Sequence, residues 1–359
     1  MESNQNISIT MDYKVLVGCM TYNHSKYIVD ALNGFAMQQT NFPFACIVID
    51  DASTDGEPEV IKDWLQNECD MERADFYDLE LANVFIVPHQ TNANCTMAVY
   101  FLKRNLYNEG NLKFDLVKDW GSHCEYLALC EGDDYWTDPE KLQIQSDCLD
   151  THPEVDMCAH NYREVSAVSG YTIKKICRRN CDCIVSVSDI VKGGGDYLAT
   201  DSICYRICIE SNIPTFRQYL NYDYSLFVHG ALRGGIYYIC REMSVYRTSV
   251  PNSWDSYMNS DKVAYEHFVD QFIQMLKYFS DEGINRNDIR YIRSVTLASA
   301  LQQLVYSRNS KRENIRVFRK YKYGFRSLPI MDRINTIGKC LFPSIGKRAK
   351  RLFANFFVS

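Results

Sequence analysis

Two pairs of adjacent carboxylates, Asp50-Asp51 and Asp133-Asp134, stand at the ends of short apolar runs, residues 44–50 and 126–130. Carboxylates held within a few ångströms of one another repel, and one takes up a proton unless a cation sits between them. A hard divalent cation relieves that conflict with one or two protein carboxylates and completes its shell with water and substrate phosphate oxygens. Mn2+ or Mg2+ is therefore the expected companion of Asp133 and Asp134. The competing reading of that pair is an acidic turn capping the next helix, a role that Asp138-Pro139-Glu140 already fills.

Chemistry at strand ends requires a sheet that gathers them. Residues 14–20 read as a buried strand, and Ser25 as the N-cap of a helix over 26–38 with Ile28, Leu32 and Phe35 on one face. The strand-then-helix unit recurs at 44–50 with a helix opening near Pro58, at 84–88 with a helix over 97–106, and at 126–130 with a helix over 139–149. Repeated units of this kind predict an α/β fold with a mostly parallel central sheet flanked by helices. Its ligand crevice lies beyond the carboxyl ends of the strands. Four polar clusters follow the four runs: Thr21-Tyr22-Asn23, Asp50 to Gly56, His89-Gln90-Thr91-Asn92, and Glu131-Gly132-Asp133-Asp134-Tyr135-Trp136. All four are expected at one edge. From 156 to 249 shorter strand-like pieces suggest a mixed or antiparallel extension of the sheet, and 260–325 run in helical period as a C-terminal helical appendage.

The clusters at Thr21-Tyr22-Asn23, at Asp50-Asp51-Ala52-Ser53-Thr54-Asp55-Gly56 and at Glu131-Gly132-Asp133-Asp134-Tyr135-Trp136 closely resemble, in order and spacing over residues 12–255, family 2 glycosyltransferases of bacterial type. The resemblance implies the GT-A nucleotide-diphospho-sugar transferase fold. It divides the chain into a catalytic domain at 1–255, with a nucleotide-binding half at about 12–155 and an acceptor half at about 156–255, then the appendage at 256–325 and a tail at 326–359. It implies an inverting hexosyl transfer from a nucleotide-diphosphate sugar, uridine type foremost, to a hydroxyl of a glycan or lipid-linked acceptor in cell-surface polysaccharide synthesis. Carried over by position, Thr21, Tyr22, Asn23, Asp50, Asp51, Asn92 and Asp133 would line the donor nucleotide. Asp134, with Asp133, would hold the Mn2+ or Mg2+, and Arg247 would meet the diphosphate. The family's pattern of an Asp ahead of a helix and a Gly-rich turn makes Asp223 the catalytic base. Trp136, Asp201 and Trp254 would serve the acceptor or its sugar. The family often has Asn-x-Gly after the third strand, where this chain has Asn92-Ala93-Asn94. It often has Tyr-Arg-x-His, where this chain has Tyr246-Arg247-Thr248-Ser249. That second departure keeps a non-catalytic nucleotide-sugar-binding or scaffold protein of the same fold as the alternative function. A nucleotidyltransferase is disfavoured, because the first strand does not open on a Gly-rich basic loop.

The composition, 46% hydrophobic and 23% charged over 359 residues, is globular and excludes disorder and fibrous repeats. No apolar stretch is long enough to span a bilayer, and the polar start carries no apolar signal core, which makes a cytoplasmic protein the expectation. Fifteen cysteines without a Cys-x-x-Cys pair read as reduced thiols, and Cys177, Cys181 and Cys183 lack the spacing of a zinc site. The formal charge of −6 hides a split. Residues 310–359 hold 13 Lys+Arg against 2 Asp+Glu, and residues 1–309 hold 26 against 43. An acidic body argues against nucleic acid as a partner. Between 337 and 358 basic residues interleave with Leu, Ile and Phe, a pattern that fits either peripheral attachment to an anionic inner membrane face or docking on the acidic body.

Overall fold

The computed structural model describes residues 7, 9, 11–107, 109, 115–251, 253–307 and 310–341; the tail beyond 341 lies outside them. The chain forms two compact units, one of Met1–Val187, Gly195–Ile213 and Leu226–Val250, the other of Ser188–Gly194, Pro214–Ser225 and Pro251–Ser359.

The first unit is built on one sheet, with twelve strands among the described residues. These are β1 (Tyr13–Thr21), β2 (Phe44–Asp50), β3 (Asp75–Asp78), β4 (Ala82–Pro88), β5 (Cys95–Leu102), β6 (Cys124–Leu129), β7 (Tyr135–Trp136), β8 (Met157–Ser166), β9 (Thr172–Ile176), β10 (Cys183–Val185), β11 (Cys204–Arg206) and β12 (Ile236–Thr248). Helices α1 (Ile28–Ala36), α2 (Glu57–Glu68) and α3 (Lys141–Thr151) cover it. The order is β10-β12-β8-β11-β6-β1-β2-β5-β4-β3, with β7 on β12 and β9 on β8. At its centre β6, β1, β2 and β5 run parallel. β2 is buried along its whole length, as a strand covered on both faces must be. One face packs Val15, Val17, Phe35, Val48 and Leu142 into the larger core, and the other packs Tyr13, Leu16, Ile49, Tyr100 and Trp120. The later strands pair in mixed directions, β12 parallel to β8 and β11 antiparallel to both β6 and β8.

Two expectations fail here. Ser25 does not cap α1; Tyr27 occupies that position, and the Ser25 amide donates to Asp55 instead, 3.0 Å away. The run over 97–106 is no helix. Val99, Tyr100 and Phe101 are strand formers buried in β5, and a short apolar run carries no period that separates the two states. β4 therefore pairs antiparallel with β5, and the direction of one strand is the reverse of that expected.

The second unit contains α4 (Val187–Gly193), α5 (Thr215–Tyr219), the start of α6 (Asp223–Ala231), α7 (Trp254–Ser260), α8 (Lys262–Met275), α9 (Arg286–Ser307), α10 (Lys311–Tyr321) and α11 (Ile330–Leu341). Its core joins Val269, Leu301, Leu304, Val317, Tyr321 and Cys340. Glu266 on α8 takes both Arg316 and Lys320 of α10, and these cations hold its carboxyl down at about 2. No disulfide joins any of the fifteen cysteines. Among the described residues no helix is long and apolar enough to cross a membrane.

Candidate active site

The carboxyl ends of β1, β2 and β6 meet in one corner of the first unit, and the backbone there is under strain. Asn23 and Ala52 hold left-handed conformations at φ 59° and 58°, which side-chain-bearing residues adopt at a cost and which concentrate at functional sites. The organiser is a residue that sequence reasoning passed over. Glu57, fully buried at the start of α2, accepts from the Thr21 hydroxyl, from the His24 amide at 2.8 Å and from the Ser53 hydroxyl at 2.8 Å. Ser53 Oγ in turn accepts from the Asn23 amide at 2.8 Å, and the Asn23 side-chain carbonyl accepts from the Thr54 amide at 2.8 Å. The loops after β1 and β2 are thereby laced together. Its signal in the sequence was an acid just ahead of Pro58 at the opening of a helix. Gly132 completes the corner, since a Cβ there would lie 2.1 Å from Thr21 Oγ1.

Asp50 is buried, and burial pushes its carboxyl up to about 6, with a hydrogen bond from Ser53 pulling the other way. Asp51 is also buried; its Oδ1 accepts from the Leu106 amide at 2.6 Å and its carbonyl from Asn105 Nδ2 at 3.0 Å. The segment just beyond β5 thus joins this corner, another contribution absent from the sequence reading. Tyr22 stands largely exposed beside these groups.

Asp133 and Asp134 follow β6, both buried. Asp133 Oδ1 has no hydrogen-bond partner, and its Oδ2 lies 3.8 Å from His24 Nε2. Asp134 Oδ1 accepts from the Arg247 amide at 2.6 Å. Burial above all, then the charges of Asp133 and Asp201, hold the Asp134 carboxyl well above the usual carboxylate range. Arg247 bonds the Asp133 carbonyl at 2.7 Å, pairs with Asp30, and lies against the rings of Tyr135 and Tyr27 at 4.3 and 5.1 Å. An orphaned buried carboxylate oxygen beside a carboxyl that resists ionisation is the donor set a divalent cation suits. Among the described residues no group of three or more His, Cys, Asp or Glu forms a closed metal cage, so such an ion would draw further ligands from substrate and water.

Three sequence expectations need correction. Asn92 lies at the opposite edge of the sheet. Because β5 runs parallel to β2, the loop preceding it sits at the amino end of β2, where Asn92 Nδ2 ties the Ala36 and Gln38 carbonyls at 2.9 and 2.8 Å. Trp136 is buried in the core, its Nε1 donating to the Asp201 carbonyl at 3.0 Å, its ring edge-on to Phe35, with Lys141 Nζ 3.9 Å from the ring centre. No face remains for a sugar. Asp201 is fully buried as well, with neither carboxylate oxygen in a well-formed hydrogen bond, although the Ser244 hydroxyl lies beside it. Burial lifts its carboxyl to about 6 and lowers the nearby Lys141 to about 8. An acceptor does not reach either residue. Asp223 and Trp254 belong to the second unit, Asp223 exposed in the first turn of α6 and Trp254 opening α7.

Residues 17–76 match the family model described as glycosyl transferase family 2. The chain superposes on Staphylococcus aureus TarS residues 1–349 with a TM-score of 0.53, and on the same protein in complex with UDP with a TM-score of 0.52. Each superposition is at 16% identity and covers 90% of this chain and 88% of the other, a likeness of fold. The architecture is thus that of the GT-A glycosyltransferases. The motifs after β1 and β2 both lie within the stretch, residues 17–76, that the family model matches. Uncharacterized proteins of Mycobacterium tuberculosis and Mycobacterium bovis are 33% identical to it over 241 residues, 66% of this chain and 59% of theirs. The chain spans about three fifths of the length of these relatives.

Proposed function

We propose that the protein transfers a hexose, with inversion, from a nucleotide-diphosphate sugar to an acceptor hydroxyl, and that the donor is of the uridine type. The observation that carries this reading is the crowding of Asp133 and Asp134, one oxygen orphaned and one carboxyl resisting ionisation, at the strand ends that also present Thr21, Asp50 and Asp51. Mn2+ or Mg2+ held by Asp133 and Asp134 would supply positive charge to the departing diphosphate. Arg247 fixes the Asp134 carboxylate and the Asp133 backbone in place and brings a cation to the same corner. Asp223 is proposed to take the proton of the acceptor hydroxyl. The general test is turnover of labelled uridine and guanosine diphosphate sugars with and without Mn2+; absence of turnover with any of them, alongside retained nucleotide binding, would favour a binding protein of the same fold.

Asp51 is proposed to receive the nucleotide base. The Leu106 amide fixes its Oδ1 as an acceptor, so in Asp51→Asn the side-chain NH2 takes the place of Oδ2 and meets a donor of the base with a donor. Affinity for UDP should fall by about 10- to 100-fold, the effect of one charge-assisted hydrogen bond. Calorimetric titration measures it, and an unchanged affinity would move the base elsewhere.

Attachment to an anionic membrane surface forms part of the same proposal, in a cytoplasmic setting. On α11, Ile330, Ile334, Ile337 and Leu341 repeat at helical spacing and stand 45–72% exposed, while Thr336 and Cys340 face inward and the Lys339 carbonyl accepts from Asn314 at 3.0 Å. The sequence beyond 341 adds Lys347, Arg348, Lys350 and Arg351. At about 1 kcal/mol for each basic group near an anionic surface, reversible and salt-sensitive binding follows. The protein should sediment with phosphatidylserine vesicles at low salt and less at high salt, and Ile334→Asp with Ile337→Asp should release it without loss of donor turnover. Unsubstituted protein that stays in the supernatant at low salt would sink this part of the proposal.

A further inference from the structure

We infer that the second unit carries a pocket for a single pyranose ring of the acceptor, built on Trp254 and on Tyr222, the residue that precedes Asp223; the assignment of that ring to an acceptor rests on the glycosyl-transfer reading above. Within this unit the segment ahead of α6 and the helices α7 and α8 line an open pocket of about 300 Å3. That is the low end of the range for small-molecule sites, room for one sugar ring and not for an oligosaccharide.

Its walls are aromatic. Tyr222 and Trp254 lie with ring centres 5.2 Å apart, and Phe268 stands edge-on to both at 5.1 and 5.0 Å. All three rings are only half-buried, and Tyr257 at the cavity is 50% exposed, so this cluster keeps faces open that a closed core would cover. The polar residues of the lining are Asn221 and Gln271 with their amides, His267 with its imidazole, and Tyr222 and Tyr257 with their hydroxyls; Gln271 stands one turn beyond Phe268 on the same face of α8. A pyranose presents an apolar face of C–H groups and a rim of hydroxyls that both donate and accept; flat rings meet the first and amides the second. A phosphate or a nucleotide would instead call for fixed cations or a run of backbone amides, and among the described residues the lining has no Lys or Arg, only the imidazole of His267.

The chain fixes this pocket to the proposed base. Tyr222 lines the cavity and Asp223 is the next residue. The Ser225 hydroxyl accepts from the Tyr222 amide at 3.1 Å and donates to the Tyr222 carbonyl at 2.6 Å, which holds the turn that carries both residues. A ring seated on Trp254 therefore has a carboxylate one residue from its wall.

Intrinsic fluorescence gives a test that needs no knowledge of the full acceptor and no catalysis. Of the four tryptophans, Trp64, Trp120 and Trp136 are buried in the first unit, and Trp254 alone is half-exposed. Methyl glycosides of glucose, galactose, mannose, N-acetylglucosamine and N-acetylgalactosamine should be titrated singly, with choline chloride and UDP as comparisons. At least one glycoside should change the emission saturably with a midpoint of about 1 mM, the strength expected of so small a ligand. The change should vanish in Trp254→Phe, which identifies the reporter. It should shift to about three- to tenfold higher concentration in Gln271→Leu, which keeps the reporter and removes the amide. The inference is overturned if no glycoside gives a saturable change, if the change survives Trp254→Phe, if Gln271→Leu leaves the midpoint where it was, or if choline saturates the site and sugars do not. Displacement of the glycoside by UDP would overturn it too, since the cavity would then be a donor site. Saturable glycoside binding in a protein that turns over no sugar nucleotide would leave the pocket standing and sink the glycosyl-transfer reading instead.

Discussion

Asp133→Asn should lower Mn2+-dependent donor turnover by about 10³-fold and, in the same protein, raise thermal stability at pH 8. Loss of a carboxylate that would hold the ion removes several kcal/mol of charge stabilisation, which sets the size of the first effect. The sign of the second follows from Asp134. Its carboxyl in the folded protein binds a proton more tightly than an ordinary carboxylate, chiefly through burial and next through the charge of Asp133. Above the ordinary carboxylate pKa the folded state therefore binds more protons than the unfolded chain, and stability falls as pH rises. Removing the Asp133 charge relieves part of that fall, so the metal-free variant should melt higher than wild type at pH 8 and closer to it at pH 4, where the folded protein keeps the Asp134 carboxyl protonated in both. Asp133 Oδ1 has no hydrogen-bond partner to lose, so the amide leaves no acceptor missing behind it. Thermal melts at the two pH values with donor turnover alongside give the answer. Turnover retained with normal Mn2+ dependence would end the assignment of the ion to this pair. A variant that is inactive and also less stable at pH 8 would show that Asp133 holds the fold rather than an ion.

What the sequence made legible, and what it hid, divides along one physical line. Fully apolar runs ending in acids, at 44–50 and 126–130, read correctly as central strands, because a strand covered on both faces must be apolar throughout. The corner of the sheet where Thr21, Asp50 and Asp133 meet follows directly from those runs. The run at 95–102 was equally apolar, and there the same evidence could not separate strand from helix. That single ambiguity reversed β4 and carried Asn92 to the wrong edge, since a loop's edge is set by the direction of the strands it joins. It also hid the segment at Asn105 and Leu106, which arrives beside Asp51 only because β5 is a strand parallel to β2. Glu57 and the burial of Trp136 and Asp201 were hidden for a different reason. They depend on which side chains converge from distant strands, and nothing local in sequence distinguishes a tryptophan that offers its face from one that lies beneath Lys141.

Asp223→Asn should leave donor affinity unchanged and cut transfer to the acceptor by about 10²- to 10⁴-fold, the usual contribution of a positioned general base. The substitution is chosen because the surroundings are well suited to tell basicity from structure. Asp223 stands exposed in the first turn of α6, a position where an acid gains a little from the helix dipole. Asparagine keeps the shape and much of the polar character there, so the part of the stability that comes from the helix dipole should fall by about 0.5 kcal/mol. A purely structural Asp223 would therefore show a small drop in melting temperature and near-normal transfer, whereas a base shows the reverse. Asp201 is sealed in the core of the first unit, so residual transfer cannot be credited to its carboxylate. The measurement is transfer of labelled sugar to a mixed glycan preparation, set beside calorimetry with UDP on the same variant. Transfer within a few-fold of wild type would remove Asp223 from the chemistry. Transfer lost together with UDP binding would mean that the variant had disturbed the donor site, and it would be fatal to the role proposed for Asp223.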